Sequence, residues 1–416
     1  MADSKVYMDY NATTPLEPEV ITSISEALTH AWGNPSSSHD TGRKAKAIID
    51  GAREHVATMI GAKSSDIIFT SGGTEADNMI IMSAVQHFND TYCKQVKAHT
   101  GQGDADSQML PHIITSHMEH PAVNVYLEHL KDTGQAEVTY APLSPTTGRL
   151  EVEAVLSSIQ PNTVLVTVML ANNETGIIQP VRKICEAVRS VHRNELETQK
   201  IFVHTDAAQA IGKIKVDVLE LGVDYLTVVG HKFYGPRIGA MFALDLDSNV
   251  TPVYPMFFGG GQERNFRSGT ENTGMIAGLG KACEIVYNGL QKFSNSMEES
   301  RNYLEEKLVS TFGERVHFNG KFSSSERLPN TCNVSILGEG CPGHEVLARC
   351  QVLQASVGAA CHVQNRPSAI LLAIGVQPHI ARNALRLSLG RYTSKHEVDA
   401  VIEDLKNAVN ALDAEG

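Results

Sequence analysis

Short runs of apolar residues recur along the first two-thirds of the chain, each about five residues long and each broken by a polar or glycine-rich turn. They read "DIIFT", "HIITS", "VLVTVML", "IFVHTD" and "YLTVVG". Between them lie stretches with helical spacing, such as "NMIIMSAVQHF" and "VRKICEAVRSVHRNELE". Runs that are apolar throughout, rather than alternating, belong to strands buried on both faces, so the alternation predicts a mostly parallel, doubly wound sheet covered by helices. The segment from Asn89 to Ser107, "NDTYCKQVKAHTGQGDADS", is too poor in apolar residues to pack and reads as a surface insertion. From about residue 292 the texture changes. A long charged helix, "SMEESRNYLEEKLVSTFG", is followed by strands and a closing amphipathic helix, "SKHEVDAVIEDLKNAVNAL", which predicts a second, smaller domain.

In open α/β sheets ligands bind beyond the carboxyl ends of the strands, so the residues after each run carry the candidate chemistry. "SGGTE" follows the first run, "HMEH" the second, "ANNE" the third, "DAAQ" the fourth and "HK" the fifth. Lys232 stands directly behind an apolar strand with no polar lead-in, which places it at the mouth of a core. One cofactor would use all of these groups. A lysine amine forms Schiff bases with carbonyls, and Asp206, facing a pyridine nitrogen, would keep the ring an electron sink, which is the pyridoxal phosphate arrangement. The turn "SGGTEADN", with Gly73 and Thr74, offers backbone N–H groups and a helix N-terminus to the phosphate, and Thr74 with Asp77 resembles a capping box. Each member alone also has a bland reading: a glycine turn with an N-cap, a snorkelling lysine, an aspartate cap. The conjunction carries the argument.

Composition narrows the partners. With 416 residues, 42% hydrophobic and 20% charged, the chain can bury a full core and divide into two domains. A formal net charge of -12 argues against nucleic acid and anionic membrane surfaces and for small-molecule substrates or protein partners. No run is long enough to span a bilayer and "MADSKVYMDYNATTP" has neither a signal-peptide nor a transit pattern, so the cytosol is expected. Seven cysteines, scattered and free of CxxC spacing, fit a reducing compartment. Six read as buried and structural. Cys361, between "SVGAA" and "HVQNRPS", reads as an exposed and reactive thiol. A zinc site at His112, His117 and His120 is disfavoured, because "HIITS" reads as a strand and no cysteine or carboxylate stands at ligand spacing; no metal is expected. Neither GxGxxG after a strand nor GxxxxGK[ST] occurs.

The motifs "MDYNATTP", "GNPSSSH", "FTSGGTEADN", "LANNETG", "HTDAAQ", "GHKFYGP", "GGGQERNFRSGT", "SVGAAC" and "LRLSLGR" occur in one order between about residues 6 and 412. In this order they resemble the class V, fold-type I pyridoxal phosphate enzymes of the cysteine desulfurase and selenocysteine lyase family, and within it the animal selenocysteine lyases. The resemblance implies a large domain, residues 17–291, on a mostly parallel seven-stranded sheet, and a smaller α+β domain from residues 1–16 and 292–416 bearing the Cys361 loop. It implies Lys232 as Schiff-base lysine, His120 stacked on the pyridine, Asp206 on its nitrogen and Gln209 on its hydroxyl, with Gly73, Thr74 and His231 at the phosphate. Asn11, Asn173 and Arg386 would bind substrate, Asn173 also lying by the cofactor, and the Arg386 fork would clamp the α-carboxylate. Thr270 would reach the phosphate of the partner subunit of a homodimer. The implied reaction takes L-selenocysteine to L-alanine and reduced selenium. The alternative is a cysteine desulfurase that forms a persulfide on Cys361 and passes sulfur to an acceptor protein. Pro121 stands where the animal lyases carry an acidic residue, and Val229 where desulfurases place a phosphate-binding serine.

Overall fold

The computed structural model describes residues 5–100, 109–191, 200–248, 250–338, 340–358 and 367–415. Among these, twelve strands occur in chain order: β1 (Val6–Tyr7), β2 (Ile67–Thr70), β3 (His112–Thr115), β4 (Glu137–Tyr140), β5 (Thr163–Thr167), β6 (Phe202–Asp206), β7 (Tyr225–Val229), β8 (Gly239–Ala243), β9 (Val316–Phe318), β10 (Thr331–Ile336), β11 (Leu353–Gln354) and β12 (Ala384–Ser388).

Seven of them form the large sheet in the order β2-β8-β7-β6-β5-β3-β4. From β4 to β7 every pairing is parallel, and only β8 runs against both of its neighbours. The mostly parallel, doubly wound sheet expected from the apolar runs is therefore what forms. Because successive side chains point to opposite faces, Ile67 and Phe69 of β2 enter one apolar cluster with Val228 and Ala240, while Ile68 enters another with Tyr225 and Met241. Helices Asp40–Ile60 and Thr273–Phe312 supply residues such as Val56, Leu279 and Val286 to the first cluster. Helices Gly73–Thr100 and Pro121–Asp132 supply Met79, Ile80, Val123 and Leu127 to the second.

A third apolar cluster lies elsewhere. It joins Val6 and Met8 at the chain start to Leu304 and Leu308, to Val334, Leu385 and Leu387, and to Val398, Val401 and Leu405 of helix Lys395–Glu415. Its strands are an antiparallel sheet, β12-β10-β9, and the parallel pair β1-β11. The closing helix starts on a true capping box: Ser394 Oγ accepts from Glu397 N at 3.2 Å, and Glu397 Oε2 accepts from Ser394 N at 2.7 Å.

Three sequence expectations change. The charged helix does not begin near residue 292 but at Thr273, and its 40 residues run from the first cluster to the third. The polar segment from Asn89 begins inside helix Gly73–Thr100, where Asp90 Oδ2 accepts from Tyr254 OH at 3.0 Å; residues 101–108 lie outside the described residues. Asp77 is no cap. It is fully buried, and it is Glu75 that reaches back, accepting from Ser71 N at 2.8 Å.

Candidate active site

The carboxyl ends of β2, β3, β5, β6 and β7 meet the small sheet around a cavity of about 260 Å³. Gly73 and Thr74 enter it from the turn after β2, His120 from beyond β3, and Asn173 from beyond β5. Asp206 closes β6 with Gln209 one turn on, and His231 and Lys232 follow β7. Asn11 and Arg386 arrive from the small-sheet side. The structure thus gathers ten of the twelve candidates in one place. Thr270 is not among them: it is exposed in a separate pocket of about 290 Å³, alongside Ser71 and Arg267. Cys361 lies outside the described residues.

Lys232 sits in the turn Gly230–Lys232 with its Nζ donating to the carbonyls of Asn11, at 2.8 Å, and Ala12, at 2.9 Å. Burial, with the Arg386 cation second, pushes its pKa down to about 8, against the pull of Asp206 and Asp9. Arg386, buried on β12, is held by Nη2 to Asp9 Oδ1 at 2.6 Å and to Ser356 Oγ at 2.8 Å. Its Nη1 reaches only the Asn173 carbonyl, at 3.4 Å, and its buried Nε has no partner among the described residues. A guanidinium N–H left without an acceptor is the kind of donor that a carboxylate satisfies.

The opposite wall holds carboxyls. Asp206 Oδ1 accepts from Ala208 N at 2.8 Å, yet burial raises its pKa overall, with Ala208 N–H, His120 and Lys232 opposing. Asp77, beside it at the cavity, is raised far more, first by burial and then by Asp206. Thr227 Oγ1 donates to Asp77 at 2.7 Å and accepts from the His204 ring at 3.1 Å; burial holds His204 neutral, its pKa pushed down to about 3. Glu119 accepts from Ser116 Oγ at 2.8 Å and Met169 N at 2.7 Å, and burial pushes its carboxyl up to about 8.

His120 caps helix Pro121–Asp132, its Nδ1 accepting from Ala122 N at 3.1 Å, so the neutral ring carries its proton on Nε2. Pro121 fits because the first helical position needs no N–H. Burial and Lys232 lower the His120 pKa, against Asp206. His231, bonded to Thr13 Oγ1 at 3.1 Å, is pushed down to about 4, chiefly by burial. At the start of helix Gly73–Thr100, a Cβ on Gly73 would lie 2.6 Å from Val229 Cγ2, so only glycine lets this N-terminus close on β7. Of the histidines weighed as metal ligands, His112 is bonded at both ring nitrogens, to Thr163 and Thr139, and His117 stacks on Tyr140 at 4.4 Å.

Sequence reasoning quoted Asp9, Glu119 and Ser356 within its motifs and strand ends without giving them a role, and misjudged Asp77. Asp9 and Asp77 lie inside the quoted motifs "MDYNATTP" and "FTSGGTEADN"; nothing local marks them, since their partners Arg386 and Thr227 are 377 and 150 residues away. Of the cysteines, Cys185, Cys283, Cys332 and Cys341 are buried and Cys350 half-buried; the side chain of Cys93 lies outside the description. Burial raises all five thiols, Cys185 and Cys350 to about 12.

A cavity at the strand ends of a mostly parallel seven-stranded sheet, with an aspartate at the end of its central strand and a lysine behind the neighbouring strand β7, is the arrangement of fold-type I enzymes. Residues 6–401 match the class-V aminotransferase family, and the chain belongs to it. A solved NifS-like protein is 31% identical, with a TM-score of 0.84 over 98% of this chain and 100% of that one. A selenocysteine lyase of Bos taurus is 54% identical over 99% of this chain and 94% of its own length. A cysteine desulfurase of Dictyoglomus turgidum is 37% identical, covering 98% and 95%.

Proposed function

We propose that this chain is a pyridoxal-phosphate-dependent lyase that converts L-selenocysteine to L-alanine and releases reduced selenium, with an external thiol as reductant. The observation that carries the reading is the meeting, in one cavity, of a lysine amine with a depressed pKa, a buried aspartate and a guanidinium edge left unmatched. The bovine relative supports the choice of substrate.

The residues present fit the cofactor. The helix N-terminus at Gly73 and Thr74 is the anion cradle, with free backbone N–H groups and the positive end of the helix dipole. His231, Asp206, Gln209 and His120 line the same cavity, where His231 would meet the phosphate, Asp206 a pyridine nitrogen, Gln209 a ring hydroxyl and His120 a ring face. When bound, pyridoxal phosphate supplies an aldehyde for the Lys232 amine and a ring that withdraws electrons from the substrate α-carbon.

The chain's own groups do the rest. Arg386 and Asn173 receive the substrate carboxylate, which fixes the α-proton's direction. Lys232, with a pKa near neutrality, takes that proton and returns it. Asp206 sets its carboxyl against the ring nitrogen, with His120 and Lys232 favouring its charged form. Cys361 meets the departing chalcogen as proton donor or nucleophile. Thr270, exposed and outside the cavity, serves the phosphate site of a second subunit in a homodimer. The enzyme works in the cytosol and passes its product to an acceptor protein.

A desulfurase reading is favoured by one feature: Pro121, at the cavity, gives neither charge nor N–H to discriminate selenium from sulfur. Alanine formation from L-selenocysteine and L-cysteine, with a thiol reductant, for wild type and Cys361→Ala, decides between them. A kcat/KM for selenocysteine at least about a hundredfold above that for cysteine, about 3 kcal/mol of discrimination, establishes the lyase. Comparable values, with persulfide on Cys361, establish the desulfurase and sink the lyase.

A further inference from the structure

Lys213 is a second buried lysine beside the cavity, and neither the catalytic roles nor the substrate contacts use it. It is 4% exposed, and among the described residues no carboxylate lies within ion-pair distance of it. Its Nζ donates to the backbone carbonyl of Gln209, at 3.0 Å, and to the Gln209 side-chain Oε1, at 2.9 Å. With Oε1 so engaged, Gln209 Nε2 is turned the other way and donates to the Asn11 carbonyl at 2.9 Å. That carbonyl is one of the two that hold Lys232 Nζ. The two lysines are therefore the ends of one hydrogen-bonded chain: Lys213 to Gln209, Gln209 to Asn11, and Lys232 to the same Asn11 oxygen.

The backbone fixes this arrangement. Gly212 has φ +79°, and a Cβ there would stand 2.6 Å from the Cβ of Phe233, the residue after Lys232. The turn bearing Lys213 and the turn bearing Lys232 thus pack directly on each other. A buried ammonium or amine with no counter-ion carries a desolvation cost that a methionine of similar length would avoid. What the amine does that methionine cannot is donate, and its side-chain acceptor is an amide whose two ends, oxygen and nitrogen, are nearly equal in shape but opposite in hydrogen bonding.

We propose that Lys213 is a positioning residue that fixes which way the Gln209 amide faces, so that its N–H groups and not its oxygen point toward Asn11 and the cofactor's ring hydroxyl. The inference rests on the pyridoxal phosphate reading above. Without Lys213 the amide is free to flip, presenting an acceptor to an acceptor, and the Asn11 carbonyl loses one of its two donors.

The test is a double-mutant cycle on the holoprotein and the apoprotein made from it: wild type, Lys213→Met, Gln209→Ala and both together. Pyridoxal phosphate affinity and the pH midpoint of the bound cofactor's absorbance change are the readouts, with Tm as the control for folding. Each single variant is expected to bind the cofactor about tenfold more weakly. The double variant should lose about tenfold as well, rather than the roughly hundredfold of independent losses, because both changes remove one interaction. The absorbance midpoint should move equally in all three variants. Lys213→Gln, which keeps a donor, should stay within about threefold of wild type, and Lys213→Leu, which has no donor, carries the cycle if Lys213→Met does not fold. Independent, multiplying losses, or wild-type affinity in Lys213→Met, overturn the proposal. A wild-type chain that takes up no pyridoxal phosphate overturns the cofactor reading itself, and this inference with it.

Discussion

Two walls of the cavity solve opposite electrostatic problems. On one side Lys232, from the turn after β7, donates to the carbonyls of Asn11 and Ala12, while Arg386 of the small sheet pairs with a single carboxylate, Asp9, and keeps its Nε unmatched among the described residues. On the other side Asp206, Asp77 and Glu119 crowd together in a region where burial raises all three pKa values. Carboxylates that close cannot all ionise at low cost. The cationic side therefore leaves a guanidinium donor unmatched, while on the carboxyl side burial and, at Asp77 and Glu119, the charge of Asp206 resist ionisation.

The comparison breaks hardest at Asp206. Asp206→Asn keeps the shape and removes the carboxyl proposed for the pyridine nitrogen, so alanine formation should fall by about a thousandfold or more with folding retained. A loss of less than about tenfold would mean that Asp77 can take over. Next comes the cationic wall. Arg386→Lys keeps the charge but not the fork, and should raise KM about a hundredfold while kcat changes little. A change confined to kcat would place the guanidinium outside substrate binding.

The smallest effect is a pH dependence. The Glu119 carboxyl has a folded pKa of about 8, above its ordinary value of 4.5. Below about pH 4.5 the group is protonated in both folded and unfolded chains and costs nothing. Between about 4.5 and 8 the unfolded chain releases the proton first, so stability declines as pH rises. Glu119→Gln keeps an acceptor for Met169 N and removes that decline. Its Tm relative to wild type should rise from pH 5 to pH 8, by a few degrees. A flat difference would show Glu119 ionised in the folded protein.

Much of this site is legible along the chain. The lysine after "LTVVG", the aspartate after "IFVHT" and the glycine turn after "DIIFT" are all set by where an apolar run ends, a local signal that strand geometry turns into a shared edge. The capping reading of Thr74 and Asp77 failed because spacing alone cannot separate Glu75, which caps, from Asp77, which faces inward; a residue's place around the helix decides that. The start of the long helix was likewise misplaced, since "TGMIAGLGKACEIV", rich in small residues, reads as core before it reads as helix.

The sequence by itself determined the doubly wound sheet, the residues at its strand ends and the family motifs, because periodicity and turn chemistry act over a few residues. Only the tertiary structure decided which charges meet. Arg386 finds Asp9 across 377 residues, Asp77 finds Thr227 across 150, and Lys232 finds the carbonyls of Asn11 and Ala12 from more than two hundred residues away. Those pairings follow from how the small sheet seats on the large one. Burial then fixes the pKa values, through a desolvation that no stretch of sequence exhibits on its own.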